Sequence, residues 1–196
     1  MFSGLSKTKE KAMFSLEVEK GLELALVHPK FAKAYLQIVT RQRDYLGQWL
    51  AWPPHAHSED FFLTFIKQAL HDYADGKSLS CAMLFEGEVV GNISFNTIDH
   101  SLKRVEIGYW LSKDYQKKGI VTKSVAKLIE LAFTDLDMEK VQISAAEDNQ
   151  SSRSVCERLG FRLEGIITRK ENLNGKVVDH AVYGLSRASW LMDHDN

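Results

Sequence analysis

The sequence contains few cysteines and few prolines, and neither sign of charge is in excess. Its 196 residues include two cysteines, Cys81 and Cys156, which are too few for a disulfide framework and lack metal-site spacing. The 25 basic and 26 acidic side chains give a formal net charge of −1, which argues against nucleic-acid binding through a globally basic surface. No stretch approaches the roughly 18 apolar residues of a membrane span. The N-terminus also lacks the apolar core of a signal peptide, so we expect a cytoplasmic protein.

The remaining composition is that of an ordinary globular protein. Hydrophobic residues make up 44% of the chain and charged residues 26%, which are typical values. The length suits one compact domain, and no internal repeat indicates a second one. Residues 1–14 are polar and carry several lysines, and we expect them to be frayed. Residues 15–190 are predicted to form a single domain.

Strand and helix signals are interspersed and predict an α+β (mixed α/β) fold. Residues 15–27 alternate as a hairpin with Gly21 at its corner, and Asn174–Gly175 is the strongest hairpin signal of the chain. A helical pattern follows Gly119 between two apolar segments, as in a strand–helix–strand crossover. We therefore expect a central, mixed, mostly antiparallel sheet flanked by helices.

Two further helices are predicted in the first half of the chain. One covers residues 30–46, and the next begins after Ser58, which is a suitable N-cap residue. The apolar residues of this second helix recur with helical spacing. They predict one core-facing side formed by Phe62, Phe65, Ile66, Ala69, Leu70 and Tyr73.

Residues 114–125, DYQKKGIVTKSV, predict an anion site at the start of a helix. A glycine turn that opens a helix directs several backbone N–H groups to one point, where the helix dipole adds partial positive charge. Lys117 and Lys118 increase the positive potential, and Gly119 is the residue expected to adopt positive φ. The alternative is a surface turn with solvated lysines. Thr122 stands where a P-loop requires glycine, and no GxGxxG dinucleotide motif is present.

Four segments together resemble the GNAT superfamily of N-acetyltransferases. They are EVVGNISFN (88–96), EIGYWLSKDYQKKGI (106–120), DNQSSRSVCERLGF (148–161) and the tail containing NLNGKVVDHAVYGL (172–185). The resemblance is closest to the RimL and RimJ branch, whose members acetylate the N-termini of ribosomal proteins. It implies a GNAT fold whose sheet is splayed at an acetyl-CoA site, with no metal.

The resemblance implies that the predicted anion is the pyrophosphate of acetyl-CoA, held by backbone amides. Val121 departs from the small residue usual at its place in the turn. A bulge on the strand that contains Gly108 would splay it from the segment KVQISAA, and the pantetheine arm would lie in the gap. The implied cofactor-binding residues are Leu111, Gln116, Lys117, Lys118, Gly119, Ile120, Val121, Thr122 and Asn149. For Asn149, a role as the N-cap of a short helix is the alternative and is compatible with cofactor binding.

Two residues are candidates for proton transfer between the amine, the thioester and solvent. Glu106 lies two residues before Gly108 on the same strand face and is the candidate base; the alternative is a surface glutamate paired with Lys103 or Arg104. The usual GNAT tyrosine of the short helix is replaced by Cys156. By resemblance to RimL, Ser152 would protonate the leaving thiolate, unless it is an ordinary polar residue of the first helical turn.

The loop GQWLAWPPHAHSE is the expected source of the acceptor pocket, with Trp49, Trp52 and Glu59 as substrate-binding candidates. Both tryptophans could instead be core residues. The predicted activity is acetyl transfer from acetyl-CoA to the N-terminal α-amine of a protein, by direct attack in a ternary complex. The alternatives are acetylation of a small amine, such as a polyamine or an aminoglycoside, and a non-catalytic acetyl-CoA sensor. Expected partners are acetyl-CoA and a protein N-terminus, without nucleic acid or membrane, and resemblance allows a homodimer.

Overall fold

The computed structural model describes residues 14–194, which contain one eight-stranded sheet and five α-helices. The strands are β1 (Ser15–Glu19), β2 (Leu22–Leu26), β3 (Leu79–Phe85), β4 (Glu88–Asp99), β5 (Arg104–Leu111), β6 (Lys140–Ala146), β7 (Arg162–Leu173) and β8 (Lys176–Ser186). The helices are α1 (Ala32–Gly47), α2 (Glu59–Ala74), α3 (Ile120–Thr134), α4 (Gln150–Arg158) and α5 (Arg187–His194). The segment expected to be frayed lies outside the described residues except for Phe14.

The sheet confirms the predicted mixed, mostly antiparallel architecture. Its strand order is β1-β2-β3-β4-β5-β6-β8-β7, and the one parallel pair among the described strands is β5–β6, joined through α3. These two strands pair from Arg104–Lys140 to Ile107–Ile143 and no further, although both strands continue. The sheet therefore opens immediately after Ile107.

Helices cover both faces of the sheet because successive side chains of a strand point to opposite faces. Val105 and Ile107 of β5 pack with α3 and α4 in one core cluster. Trp110 of the same strand packs with α1 and α2 in the other. Glu106 lies between Val105 and Ile107 in the strand, so its side chain points to the opposite face, the one covered by α1 and α2.

The buried side of α2 is narrower than the sequence predicted. Phe62, Ile66 and Ala69 are buried as expected, but Phe65 is 40% exposed and Tyr73 is 49% exposed. Leu70 is partly buried and packs against the same core cluster, whereas Phe65 and Tyr73 lie outside that cluster. None of the helices within residues 14–194 is long and apolar enough to cross a lipid bilayer.

Candidate active site

A cavity of about 810 Å³ lies where β5 and β6 separate. Its walls come from the ends of both strands, the turn before α3, the first turns of α3 and α4, and the loop that follows α1. The predicted site residues that line it are Trp49, Trp52, Glu106, Leu111, Gln116, Lys117, Gly119, Ile120, Val121, Thr122, Asn149 and Ser152. Lys118 and Glu59 are not among the lining residues.

The bulge beside this opening lies in β4, whereas we expected it in β5. Phe95 pairs with Ile107 and Thr97 pairs with Glu106, so Asn96 is the extra residue. A side chain at Gly108 would overlap the Asn96 side-chain amide, which accepts a hydrogen bond from Ser94 Oγ at 2.6 Å. Gly108 therefore allows a close approach of Asn96. The sequence did not single out Asn96, because the bulge depends on register with the neighbouring strand.

The corner before α3 lines the cavity with a helix start that has no side-chain cap. Gly119 has φ of +75° and precedes the helix without a side-chain cap, as expected from the glycine. The first amides of a helix have no intrahelical acceptor, so an uncapped end can bind an anion. Lys117 also adopts positive φ, at +61°, which costs an L-residue roughly 1 to 2 kcal/mol. Two residues of the corner, Lys117 and Gly119, thus have left-handed backbone conformations, whereas the sequence predicted this for Gly119 alone.

Helix α1 holds this corner in place through two residues that the sequence did not reveal. Gln42, where the backbone of α1 departs from helical angles, accepts from Lys113 N at 2.8 Å and donates to the Asp114 carboxylate at 2.9 Å. Tyr45 accepts a hydrogen bond from Gln116 Nε2 at 2.6 Å. The corner is therefore fixed by contacts about 70 residues distant in the chain.

The two lysines of the corner differ in position. Lys117 lines the cavity, whereas the Lys118 ammonium lies 5.2 Å from the ring centroids of both Phe85 and Tyr115. A further cation comes from α4: Arg158 lines the cavity, and its Nη2 lies 3.4 Å from Thr122 Oγ1 at the start of α3. Lys117 and Arg158 are thus the cations that line the cavity near the helix start, whereas Lys123 is paired with Glu19.

Glu106 faces the cavity without the ion pair that was its alternative interpretation. Its carboxylate accepts from Gln142 Nε2 at 3.3 Å. Lys103 instead binds Asp137 at 2.7 Å, and Arg104 donates to Gln142 Oε1 at 3.4 Å. The Glu106 carboxylate is therefore available at the point where the strands separate.

The first turn of α4 brings Ser152 and a tyrosine together. Asn149 caps this helix, since its Oδ1 accepts from Ser152 N at 3.2 Å. The Tyr109 hydroxyl, which also lines the cavity, donates to the Ser152 carbonyl at 3.4 Å. Burial raises the pKa of Tyr109 far above its usual value, so its proton is retained. Cys156 is fully buried, and burial raises the pKa of its thiol to about 12, which makes it a poor nucleophile.

The tryptophans of the predicted acceptor loop are both partly buried against core clusters and also line the cavity. Trp49 packs against the buried residues Ala146, Leu173 and Val178. Trp52 stacks on Phe61 with ring centroids 6.3 Å apart. The two alternatives for these residues are thus compatible.

Glu59 does not belong to this wall. It is exposed in the first turn of α2, where a negative charge suits the helix dipole. The cavity is lined instead by three polar residues that the sequence did not single out, namely Ser144, Glu171 and His180. They come from three different strands, so no local pattern groups them.

A family model described as an acetyltransferase (GNAT) domain matches residues 22–162. The chain belongs to the GNAT acetyltransferase family. GNAT enzymes take their acetyl group from acetyl-CoA, and the uncapped helix start, the left-handed corner and the gap between β5 and β6 fit that cofactor. Within residues 14–194, no group of three or more His, Cys, Asp or Glu side chains is arranged to hold a metal ion.

Several GNAT relatives match almost the full chain. The putative ribosomal N-acetyltransferase YdaF of Bacillus subtilis is 34% identical over 91% of this chain and 98% of its own. The ribosomal-protein-serine acetyltransferase of Escherichia coli is 30% identical over 86% of this chain and 94% of its own. The structure of RimL, a ribosomal L7/L12 α-N-protein acetyltransferase in complex with coenzyme A, superimposes with a TM-score of 0.86 at 28% identity, covering 90% of this chain and 99% of the other.

Proposed function

We propose that this GNAT enzyme acetylates the N-terminal α-amine of a protein, of the kind found in ribosomal proteins. The similarity to ribosomal-protein acetyltransferases over nearly the whole chain is the observation that carries this proposal. An α-amine also requires little activation, because its pKa is near 8 and a useful fraction is neutral at physiological pH. A lysine side chain, with a pKa near 10.4, would require a stronger base.

We infer a direct transfer in a ternary complex. The neutral amine attacks the thioester carbonyl, a C–N bond forms, and the C–S bond breaks as the thiolate leaves. Burial of Cys156 supports this route, since no accessible activated thiol is available there to carry the acetyl group. Bound acetyl-CoA supplies the activated acetyl group, and the protein supplies the binding and the proton transfers.

Glu106 is the proposed proton acceptor, and Ser152 the proposed donor to the leaving thiolate. Both line the cavity at the opening of the sheet. Glu106 lies on the α1–α2 face, and Ser152 lies in the first turn of α4. This arrangement supports removal of the amine proton at one wall and delivery of a proton at the other.

The backbone amides from Lys117 to Thr122 are the proposed pyrophosphate contacts. Leu111 at the end of β5 and Asn149 at the start of α4 would contact the pantetheine arm. Trp49 and Trp52 would form part of the acceptor wall.

The test is a panel of acceptors with purified enzyme and acetyl-CoA. Peptides that differ in their first residue, serine included, are compared with the same peptides blocked at the N-terminus, with spermidine and with an aminoglycoside. We expect acetylation of free N-terminal peptides, located by mass spectrometry at the α-amine. Acetylation of the small amines alone would contradict the protein acceptor, and acetyl-CoA binding without turnover of any acceptor would indicate the non-catalytic alternative. Comparison of protein N-termini from cells with and without the gene then identifies the acceptor.

A further inference from the structure

Ser144, His180 and Glu171 form a hydrogen-bonded chain along the wall of the cavity. Ser144 Oγ lies 2.9 Å from His180 Nδ1, and His180 Nε2 lies 3.1 Å from a carboxylate oxygen of Glu171. The His180 side chain is 12% exposed and that of Glu171 is 37% exposed. All three residues line the same cavity as Glu106, and none has a part in the mechanism proposed above.

The backbone of β7 is shaped to bring Glu171 to this chain. Its pairing with β8 is irregular between Ile167 and Glu171, so the strand carries extra residues there. Arg169, within this irregularity, has φ of +52°, and its N–H donates to the Asp179 carboxylate at 2.7 Å. A strained residue held by a specific contact next to a cavity is typical of functional sites.

For a neutral His180 beside an ionised Glu171, one direction is possible for each hydrogen bond. An ionised carboxylate can only accept, so Nε2 of His180 carries the hydrogen that Glu171 receives. In neutral imidazole the other nitrogen is then an acceptor. Ser144 therefore donates its hydroxyl hydrogen to Nδ1. The remaining lone pairs of Ser144 Oγ are acceptors at the cavity wall.

Ser144 and Glu106 lie on the same sheet face on either side of the opening. Glu106 is the register partner of Gln142, and Ser144 follows Gln142 by two residues on β6. Two residues of a strand span roughly 7 Å. Beyond Ile107 and Ile143 the strands no longer pair, so the two side chains flank the start of the gap.

We propose that Ser144 Oγ, oriented by His180 and Glu171, binds the acceptor amine opposite Glu106. A neutral primary amine has two N–H groups and one lone pair. If one N–H is donated to Glu106 and the other to Ser144 Oγ, the lone pair is left for the thioester carbonyl. Ser144 is then a binding residue for the amine, and His180 and Glu171 are positioning residues. This inference rests on the proposed acetyl transfer to an amine and assigns the acceptor contacts within it.

The test separates acceptor binding from acetyl-CoA binding. Ser144→Ala should raise the acceptor KM about 10-fold, the effect of about one hydrogen bond, with kcat within about threefold of wild type and an unchanged melting shift on adding acetyl-CoA. His180→Asn keeps an acceptor oxygen near the Nδ1 position and should stay close to wild type. His180→Leu removes that acceptor and should resemble Ser144→Ala.

The double variant tests whether the residues act as one unit. Ser144→Ala combined with His180→Leu should be no worse than Ser144→Ala alone, because coupled residues are not additive. Ser124→Ala is the matched control, since Ser124 is a buried serine of α3 that does not line the cavity. An unchanged KM in Ser144→Ala, or additive losses in the double variant, would overturn the inference.

A spectroscopic measurement that needs no acetyl transfer tests the inference without knowledge of the acceptor. The ¹⁵N NMR shifts of the His180 imidazole should show hydrogen on Nε2 and a bare Nδ1, and Ser144→Ala should shift the Nδ1 signal. Hydrogen on Nδ1 would overturn the inference whatever the activity. If small amines are acetylated but peptides are not, the protein acceptor fails, while the effect of Ser144→Ala is measured on the amine that reacts.

Discussion

The Glu106 carboxylate accepts a hydrogen bond from the neutral side-chain amide of Gln142 at 3.3 Å, although Lys103 and Arg104 are near in the sequence. Both cations bond elsewhere, Lys103 to Asp137 and Arg104 to Gln142. Glu106 also lies one residue before the last paired position of β5 and β6, Ile107–Ile143, and it lines the cavity. These contacts leave a carboxylate without a cationic partner at the start of the gap, where the proposed mechanism requires a base.

The Glu106→Gln variant should therefore lose turnover but keep acetyl-CoA binding. Glutamine preserves size and hydrogen bonding but cannot take a proton, so turnover should fall by about 10² to 10⁴, the range that a positioned base supplies. Raising the pH should partly restore it, because more of the α-amine, with its pKa near 8, is then neutral. Rates for both forms from pH 6 to 9.5, with one peptide, give the comparison. Equal turnover at pH 7 would show that the proton leaves by another route.

The corner before α3 predicts a binding defect that is separate from catalysis. In wild type, acetyl-CoA at about 100 times its Kd should stabilise the fold by about 2.7 kcal/mol. Gly119→Asp should abolish this melting shift, because it places a carboxylate against the pyrophosphate and a Cβ at φ of +75°. Lys117→Ala should weaken the shift modestly and mainly at low salt, since an exposed charge is screened.

The control for the acetyl-CoA binding experiment is the melting temperature of each variant measured without ligand. Gly119→Asp must unfold cooperatively near the wild-type temperature for the lost shift to report on binding. Lys118→Ala serves as the matched lysine variant, since its ammonium lies over two rings and not in the cavity. A larger binding loss in Lys118→Ala than in Lys117→Ala would contradict this assignment of the two side chains.

Local signals in the sequence identified most elements, but not the contacts between them. Ser58 caps α2, Asn149 caps α4, and Asn174–Gly175 closes the last hairpin, as predicted. Each of these needs only neighbours a few residues away. The cofactor-binding candidates implied by the GNAT motifs all line the cavity, apart from Lys118.

The cavity residues that the sequence analysis did not identify are instead brought together by the register between strands. Ser144 and His180 are 36 positions apart, and they meet because β6 pairs with β8. Asn96 reaches Gly108 through a bulge whose position depends on both strands. The composition and spacing of a single segment do not specify which strands pair or in which register. These contacts are therefore visible only in the folded sheet.

Helix α4 predicts different outcomes for Ser152 in its first turn and for the buried Cys156 in its second. If Ser152 protonates the thiolate, Ser152→Ala should lower turnover by roughly 10²-fold with acetyl-CoA affinity little changed. Cys156→Ala should leave turnover per folded molecule near wild type, because the thiol is buried and its pKa is raised to about 12. Steady-state rates and melting shifts of both variants give the answer. Loss of activity in Cys156→Ala alone would point to an acetyl-cysteine and against the ternary complex.

The raised pKa of Cys156 also predicts a pH dependence of stability. A thiol whose folded pKa is raised stays protonated when the unfolded chain has ionised, so stability falls as pH rises from about 9 towards about 12. Cys156→Ala should show a smaller fall over the accessible part of that range, measured by urea unfolding. An equal slope in both proteins would mean that the thiol ionises as readily when folded as when unfolded.

Ser124 in the middle of α3 should be replaceable by alanine with a gain in stability. Among the described residues it is the buried side chain whose polar atom lacks a hydrogen-bond partner, and it is 0% exposed. A buried unsatisfied hydroxyl is destabilising, and alanine has the higher helix propensity. We expect Ser124→Ala to add about 1 kcal/mol, or about 2 to 4 °C in Tm for a chain of this size. Thr134→Ala is the control in the same helix, because its hydroxyl has two acceptors within reach, Glu130 O at 2.9 Å and an Asp135 carboxylate oxygen at 2.6 Å, and its loss should not give this gain. A lower Tm for Ser124→Ala would show that the hydroxyl donates within the helix, as serine can to the preceding turn.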